Sequence, residues 1–257
     1  MDKITQSFLD AYQYQRHEIE KYELIYGRHF ISPGGRETTQ AFLDLVFFES
    51  GMKVLDIGCG LGGAAFLMAQ KYGVRVHGID LSTNMLQVAK ERCEEEGVAD
   101  RVTFSHGNCL EMEETAVYDF IHSRDVFLHI EDKQRLFQVI YKALKPGGTL
   151  LFTDYCRRAA GWLSDGFAQY IAQQGYHLCT VPQYQQHLIN NGFTDVVAQD
   201  ETEQFIQIHE RELANLPSDK LNQADFDELH AGWQAKIDRA TQGEQRWGLF
   251  IAKKESG

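Results

Sequence analysis

The chain has 257 residues, of which 43% are hydrophobic and 24% are charged. This length and composition are typical of one large folded domain and exclude a disordered, collagen-like or coiled-coil architecture. The net charge of −12 repels nucleic acids and anionic lipid surfaces. We therefore expect a single domain over residues 1–257 with no nucleic-acid or membrane partner, and the acidic balance favours a monomer.

The first 45 residues are expected to form a helical lid over the rest of the domain. Helical periodicity spans residues 3–12, 17–26 and 37–47. A loop with the residues Ile31-Ser32-Pro33-Gly34-Gly35 separates the last two helices. Helices of this kind, placed before a sheet, can close over a ligand.

The central part of the chain alternates between strand and helix patterns. Short runs rich in β-branched and aromatic residues predict strands at 53–57, 74–79, 102–104, 118–122 and 149–153. Helical patterns lie between them at 62–71, 83–96 and 133–144. This alternation predicts an α/β fold with a mostly parallel sheet, helices on both faces, and a ligand site at the carboxyl ends of the strands.

Two further strands complete a predicted seven-stranded sheet, at residues 193–198 and 247–252. The mostly polar, helical stretch at 201–246 lies between them and is expected to be an insertion above the sheet. The predicted division is therefore a core at 46–200, a helical cap at 201–246, and a last strand with a tail at 247–257.

A glycine-rich turn follows the first predicted strand. The sequence Asp56-Ile57-Gly58-Cys59-Gly60 leads into a helix, and glycines there allow positive φ angles and a close approach of the backbone to a ligand. Asp80 ends the second strand, where its carboxylate can accept both hydroxyls of a ribose. Strand, turn, helix, strand and acid together predict a nucleotide site.

An acid directly before the glycines resembles motif I of the class I S-adenosylmethionine methyltransferases. In the nicotinamide fingerprint the strand usually runs straight into the glycines, so a dehydrogenase is the alternative interpretation. The ribose-binding acid and the Lys-Pro-Gly-Gly turn of the methyltransferases match Asp80 and Lys145–Gly148. The resemblance implies a Rossmann-like class I methyltransferase fold, with S-adenosyl-L-methionine as methyl donor and S-adenosyl-L-homocysteine as its product.

Several stretches outside this shared core are similar to the phosphoethanolamine N-methyltransferases. They lie at residues 22–27 with 30–32, 123–125 with 128–129, 153–156, and 232–233 with 245–248. They fall in the lid and the carboxyl-terminal part, where a methyl acceptor would bind. The resemblance implies methylation of phosphoethanolamine, through its mono- and dimethyl forms, to phosphocholine for phospholipid or choline supply.

The resemblance also implies roles for individual residues. The catalytic dyad of the family falls on Tyr14 and His129. Its methyl-donor contacts correspond to Ile31, Ser32, Asp56, Gly58, Gly60, Asp80, Leu81, Asn108, Cys109 and Arg124. Its phosphobase contacts correspond to Gln13, Tyr14, Tyr22, Asp125, Tyr155, Tyr170, Tyr176 and Lys236.

Two positions depart from the family pattern. Asn108 stands where an acid is usual, although its side-chain carbonyl can still accept a hydrogen bond from the adenine amino group. Gln174 stands where the family has an arginine that grips the phosphate, and glutamine supplies neither the charge nor the fork of a guanidinium. Lys236 and the tyrosine hydroxyls are then expected to hold the phosphate, with Arg157 or Arg158 as candidate substitutes.

Two other functions stay open, and only the first of them is favoured by Gln174. One is an N-methyltransferase for another small amine or amino acid such as glycine or sarcosine. Another is a non-catalytic protein that binds S-adenosylmethionine, although the presence of Tyr14, Asp125 and His129 argues against it.

The chemistry implied by the family requires that a proton leaves the acceptor. An amine with a pKa of about 10 arrives protonated and has no free lone pair. Tyr14, polarised by His129, is expected to take the proton, and Asp125 to pair with the ammonium group. The tyrosine rings would face a nitrogen that becomes quaternary as methyl groups are added.

The remaining features predict a cytoplasmic enzyme without a metal. The five cysteines include no Cys-x-x-Cys pair, which favours reduced thiols. The first residues lack the basic start and apolar run of an export signal. The histidines show no metal-ligand spacing with cysteines or acids.

Overall fold

The structure is a computed structural model, and it describes residues 16–257. The predicted helix at 3–12 and the predicted site residues Gln13 and Tyr14 lie outside the described residues.

Seven strands form one sheet. In chain order they are β1 (Lys53–Ile57), β2 (Arg75–Asp80), β3 (Val102–His106), β4 (Tyr118–Arg124), β5 (Leu144–Arg157), β6 (Phe193–Asp200) and β7 (Gln245–Lys254). Their order in the sheet is β3-β2-β1-β4-β5-β7-β6, and neighbouring strands are parallel except that β7 runs antiparallel to β5 and β6. The predicted mostly parallel, seven-stranded sheet is confirmed, and the strand order reverses between β1 and β4, where α/β folds bind ligands.

Helices surround the sheet and follow its strands. They are α1 (Arg16–Tyr26), α2 (Gly35–Leu43), α3 (Gly63–Tyr72), α4 (Thr83–Glu95), α5 (Lys133–Ala143), α6 (Asp165–Gln174), α7 (Val181–Asn190), α8 (Thr202–Ala214) and α9 (Gln223–Thr241). The sequence analysis did not predict α6 and α7. A local signal for α7 does exist, because Thr180 and Gln183 form a reciprocal capping box with Pro182 in the first turn.

Apolar side chains pack on both faces of the sheet. On one face, Phe137 of α5 and Tyr184 of α7 pack around Phe152. On the other face, α3 and α8 contribute to a cluster that contains Phe205 and Trp247. This three-layer arrangement fixes the carboxyl ends of β1, β2, β4 and β5 along one edge of the molecule.

The Lys145–Gly148 turn lies inside β5 as an irregularity. Pairing with β4 moves from Tyr118 opposite Leu144 to Phe120 opposite Thr149, so the turn bulges out of the ladder. Pro146 has no N–H for the ladder, and Gly147 has a φ of 77°. The helix therefore ends at Ala143 as the turn predicts, but strand pairing begins immediately after it.

The described part of the lid packs against the helical insertion formed by α8 and α9. An apolar cluster joins Tyr26 and Phe30 of the lid to Leu216, Leu229 and Trp233 of the insertion. Polar contacts support this junction, since the buried Nζ atom of Lys21 pairs with acidic side chains of both parts, Glu18, Asp225 and Glu228.

No helix within residues 16–257 has the length and apolar character needed to cross a membrane.

Candidate active site

The glycine turn after β1 leaves no room for a side chain at Gly58, and both of its glycines have a positive φ. Gly58 has a φ of 70°, and a Cβ atom there would lie 2.3 Å from the Val126 side chain. Gly60 has a φ of 51°, and a Cβ atom there would lie 3.6 Å from Ile31 of the lid. The lid loop, defined here as residues 27–34, therefore comes close to the turn, and Ser32 lies within this loop.

Asp80 links the second strand to the glycine turn. Its Oδ2 atom accepts a hydrogen bond of 2.8 Å from the Gly60 N–H, and its Oδ1 atom accepts one of 2.8 Å from the Ser82 N–H. Burial raises the pKa of Asp80, while these amide hydrogen bonds act in the opposite direction. The Leu81 N–H also donates to this carboxylate. An ionised carboxylate has about four acceptor positions, so the predicted acceptance of ribose hydroxyls is compatible with this geometry.

A cavity of about 480 Å³ opens beside the end of β3 and is lined by Ile79, Gly107, Asn108 and Met112 among others. The Oδ1 atom of Asn108 accepts a hydrogen bond of 3.0 Å from the Leu110 N–H and so caps the 3₁₀ turn Cys109–Glu111. The Asn108 side-chain carbonyl is predicted to accept a hydrogen bond from adenine. One of its lone pairs is therefore already used, and the second remains. Cys109 is buried, which raises the pKa of its thiol to about 12 and keeps it neutral.

Asp56 has a partner that the sequence analysis did not identify. β1 and β4 place Asp56 opposite His122, and the His122 Nδ1 atom lies 2.7 Å from the Asp56 Oδ1 atom. Both side chains are buried, and the second oxygen of Asp56 has no hydrogen-bond partner in residues 16–257. His122 thus holds the acid of the glycine motif from the neighbouring strand.

Arg124 at the end of β4 contacts the lid. Its guanidinium donates to the Thr39 hydroxyl at 2.6 Å and to the Pro33 carbonyl at 3.0 Å. It also lies over the rings of Phe42 and Trp247, at 5.6 and 5.8 Å from their centres. Arg124 therefore joins β4 to the lid in this structure, and its predicted contact with the methyl donor stays a prediction.

Asp125 has one carboxylate oxygen, Oδ2, that forms an ion pair of 4.0 Å with the Arg124 Nη2 atom but accepts no hydrogen bond within the described residues. Its Oδ1 atom accepts hydrogen bonds from Trp247 Nε1 at 2.7 Å and from the Thr153 hydroxyl at 3.1 Å. Its buried Oδ2 atom has no hydrogen-bond partner among the described residues, and its side chain is 9% exposed. Burial raises the pKa of Asp125, and its backbone has a φ of 55°. A buried oxygen of this kind is stabilised by a bound cation.

Aromatic rings from four parts of the chain meet near Asp125. The ring of Tyr176 contacts Tyr170 of α6 at 5.9 Å and His129 at 5.3 Å between centres. Burial raises the pKa of Tyr155 at the end of β5, and the negative charge of Asp125 adds to the effect. The structure thus brings together these four predicted site residues.

The lid contributes its own aromatic pair to the site. The rings of Tyr22 and Tyr26 are stacked, with 6.4 Å between their centres, and both contact Trp233 of the insertion. Tyr26 was not among the predicted site residues. Its hydroxyl accepts a hydrogen bond of 3.3 Å from the Lys236 Nζ atom, which places it beside a predicted phosphate contact.

His129 lies in the 3₁₀ turn Phe127–His129 that follows β4. Burial lowers its pKa to about 4, so the imidazole is neutral at pH 7, and its Nδ1 atom has no hydrogen-bond partner within residues 16–257. Lys133, which the sequence analysis missed, holds this turn. Its buried Nζ atom donates to the carbonyls of Phe127 and His177, each at 2.9 Å, and to that of Ile130.

Lys236 reaches the site from α9. Its Nζ atom lies 4.1 Å from the centre of the Trp233 ring. Burial lowers its pKa to about 8, while the negative charges of Glu212 and Asp125 act to raise it. The two acids and the lysine are therefore close enough to interact electrostatically.

The positions discussed for phosphate binding differ in their surroundings. Gln174 is exposed at the end of α6. Arg157 donates to the Leu178 carbonyl at 3.3 Å and to Gln183 at 3.1 Å. Arg158 donates to the Trp162 carbonyl at 3.4 Å. Arg157 is thus hydrogen-bonded to the start of α7 and the residues before it, and Arg158 to the loop that follows it.

The described residues contain no group of three or more His, Cys, Asp or Glu side chains placed to hold a metal ion.

Comparison with known proteins places the chain in a family. A family model for a methyltransferase domain matches residues 48–208. A phosphoethanolamine N-methyltransferase of Triticum aestivum is 46% identical over 98% of this chain and 51% of its own length, so the chain spans about half of that relative. One from Plasmodium falciparum is 37% identical over 96% of both chains.

A solved structure gives the same result in three dimensions. Phosphoethanolamine N-methyltransferase 2 of Haemonchus contortus, in complex with phosphomonomethylethanolamine and S-adenosylhomocysteine, superposes with a TM-score of 0.93. It is 38% identical to this chain and matches 98% of it, which corresponds to 60% of the Haemonchus chain. The fold, the family model and these relatives agree, and the chain belongs to the phosphoethanolamine N-methyltransferase family.

Proposed function

We propose that this protein transfers methyl groups from S-adenosyl-L-methionine to phosphoethanolamine and, through the mono- and dimethyl intermediates, forms phosphocholine. The observation that carries the proposal is the placement of a buried, partly unpartnered carboxylate, Asp125, within electrostatic reach of a lysine, Lys236. These two groups match the opposite charges at the two ends of the acceptor. Family membership supports the same substrate.

The residues around the glycine turn fit the methyl donor. The turn carries no side chain at Gly58 and Gly60, Asp80 holds its carboxylate against the turn, and a cavity opens beside Asn108. When bound, S-adenosylmethionine supplies an electrophilic methyl group on a positively charged sulfur. The protein then has to hold donor and acceptor in line and to exclude water, which is the role we assign to the lid loop.

Asp125 is proposed to bind the acceptor ammonium before methylation. Its Oδ2 atom is buried and free of hydrogen bonds within residues 16–257, so an ammonium group gains a charge-assisted hydrogen bond there. The hydrogen bonds from Trp247 and Thr153 to the other oxygen fix the direction of the carboxylate. The amine is thereby held at the carboxyl end of β4, beside the glycine turn of β1 where the methyl donor is proposed to bind.

Tyr14 and His129 are proposed to remove the proton from the amine. His129 is neutral because burial lowers its pKa to about 4, and a neutral imidazole can accept a proton or polarise a phenol. Lys133 and the hydrogen bond of 2.7 Å from the His177 N–H to the Leu128 carbonyl hold the turn that carries His129. Tyr14 lies outside the described residues, and its pairing with His129 is inferred from the family.

The aromatic rings are proposed to favour the methylated forms of the acceptor. Tyr22, Tyr155, Tyr170 and Tyr176 present rings from separate elements around the site. A nitrogen that has gained methyl groups can no longer donate as many hydrogen bonds, but it is still attracted to ring faces. This arrangement supports successive methylation in one site.

Product analysis by mass spectrometry tests the proposal. The purified protein is incubated with S-adenosylmethionine and, separately, with phosphoethanolamine, ethanolamine, glycine and sarcosine. We expect phosphocholine from phosphoethanolamine and at most trace methylation of the other three. Methylation of glycine or sarcosine without product from phosphoethanolamine would overturn the proposed substrate, and the absence of product from all four would overturn the proposed activity.

We also propose that the protein is a cytoplasmic monomer and that residues 1–257 form one domain. All five cysteines are buried and unpaired in the structure, as expected for a reducing compartment. Sedimentation equilibrium at several protein concentrations checks the oligomeric state, and a concentration-dependent mass would contradict the monomer.

A further inference from the structure

Arg239 of α9 lies one turn after Lys236, so both side chains project from one face of the helix. The guanidinium carbon of Arg239 lies 3.9 Å from the centre of the Tyr170 ring. Its Nε atom donates a hydrogen bond of 3.0 Å to the Oε1 atom of Gln245, which is only 1% exposed. One edge of the guanidinium is therefore fixed, and its two Nη atoms have no hydrogen-bond partner in the part of the chain that the structure describes.

Arg239 lies close to a second cation, Lys236. The charge of Arg239 contributes to the lowered pKa of Lys236, which shows that the two cations repel each other. No carboxylate of residues 16–257 forms an ion pair with either of them. Glu212 is near, but its oxygens already accept hydrogen bonds from Gly34 and Trp233, each at 2.8 Å. Glu212 and Asp125 act on Lys236 through space, but no carboxylate of the described residues contacts either cation directly, so an anion that touches both cations is favoured.

We propose that Arg239 binds the phosphate of the acceptor and supplies the guanidinium that position 174 lacks. The inference rests on the proposed function, because it requires a phosphorylated acceptor. Tyr170 connects Arg239 to the acceptor site, since its ring contacts Tyr176, which in turn contacts His129. With Nε bound to Gln245, the two Nη atoms can form two charge-assisted hydrogen bonds to one phosphate.

The test compares phosphorylated and unphosphorylated acceptors. In Arg239→Gln, the KM for phosphoethanolamine is expected to rise by about 10- to 100-fold, because hydrogen bonds to a charged group are lost. The kcat, the Kd for S-adenosylhomocysteine and the Kd for ethanolamine, which has no phosphate, are expected to stay within about threefold. Arg239→Lys is expected to lie between the two, because lysine keeps the charge and loses the fork.

A matched control and a second variant keep the test decisive. Arg135→Gln removes the same charge from the exposed surface of α5 and is expected to leave the KM unchanged. If Arg239→Gln does not fold, Arg239→Lys provides the measurement, with thermal unfolding as a check. An unchanged KM for phosphoethanolamine, or equal losses for both acceptors and for S-adenosylhomocysteine, would show that Arg239 only ties α9 to α6. Failure of the wild-type protein to methylate phosphoethanolamine would instead refute the proposed function.

Discussion

Gly58 has a left-handed backbone, and a Cβ atom added there would also meet Val126. Mutation can separate the backbone strain from this contact. Gly58→Ala is expected to lower the free energy of unfolding by about 2–5 kcal/mol, because the new Cβ atom would overlap Val126 in addition to the backbone strain. Gly97 has a φ of 66° and no neighbour within 4 Å of an added Cβ atom. Gly97→Ala therefore isolates the backbone effect and is expected to cost about 1 kcal/mol.

Urea unfolding measures both variants, and titration calorimetry gives their affinity for S-adenosylhomocysteine. Only Gly58→Ala is expected to weaken this affinity, because the turn carries the donor site. Equal losses of stability for the two variants would show that contact with Val126 does not restrict the turn.

Lys236 gives the reaction a pH dependence with a defined sign. Burial lowers its pKa to about 8, so the lysine is charged below this pH and loses its charge above it. The kcat/KM for phosphoethanolamine is therefore expected to fall above pH 8, by up to about tenfold per unit. Arginine stays charged, so Lys236→Arg is expected to remove this fall. Steady-state rates between pH 6.5 and 9.5 measure it, and identical profiles for both proteins would contradict a role for the charge of Lys236.

Some site residues could be predicted from the sequence and others could not. Asp80 and Asp125 lie at strand ends, and the alternation of strands and helices predicts where those ends are. His122, Lys133 and Arg239 could not be found in this way. The role of His122 depends on the register between β1 and β4, and that of Lys133 depends on the carbonyl of His177. The role of Arg239 depends on the distance between α9 and α6. A local sequence pattern contains none of this information.

At the level of elements, Glu212 joins the insertion to the lid. Its two oxygens accept hydrogen bonds from the Gly34 N–H in the lid loop and from Trp233 of α9. Glu212→Gln leaves one oxygen for two donors, so the free energy of unfolding is expected to fall by about 1–3 kcal/mol. Amide hydrogen exchange of residues 27–34 is expected to become faster, because the loop loses its anchor.

Glu210→Gln provides the control for this prediction, because Glu210 is exposed on the same helix. Hydrogen exchange followed by mass spectrometry and urea unfolding are measured for both variants. If exchange in the lid loop changes equally in the two, or in neither, Glu212 does not anchor the loop.

Most elements with strong periodicity or clear ends were predicted, but α7 was missed although a capping box marks its start. Glycine-rich turns and β-branched runs mark β1 to β5 in the sequence. β5 is longer than predicted because its pairing continues past the bulge to Leu144. Most residues of α6 are exposed, and Phe167 is its one buried residue.

For the whole molecule, buried histidines predict a loss of stability in acid. Burial lowers the pKa of His209 to about 3 and that of His129 to about 4, whereas unfolded histidine titrates near 6.5. At these two histidines the unfolded state therefore binds more protons below about pH 6.5, so their contribution to the free energy of unfolding falls as the pH decreases from there. Buried Asp154, whose pKa is raised to about 8, acts in the opposite direction. His209→Asn is expected to reduce the slope of the free energy of unfolding against pH. Any loss of stability that does not depend on pH leaves this slope unchanged.

Urea unfolding at intervals between pH 4 and 7.5 measures the slope. His230→Asn serves as the control, because His230 is exposed on α9. An unchanged slope in His209→Asn would indicate that this histidine does not contribute to acid unfolding.

The single antiparallel strand determines where the chain leaves the molecule. Lys253 near the end of β7 pairs with Thr149, at the amino-terminal side of the parallel part of β5, whereas Gln245 pairs with Arg157 at the carboxyl end. The polypeptide thus exits from the face opposite the cleft. An affinity tag, a fluorophore or a surface linkage placed after Gly257 leaves the entrance of the site and the motion of the lid unobstructed. The protein can therefore be immobilised through this end for kinetic or single-molecule measurements.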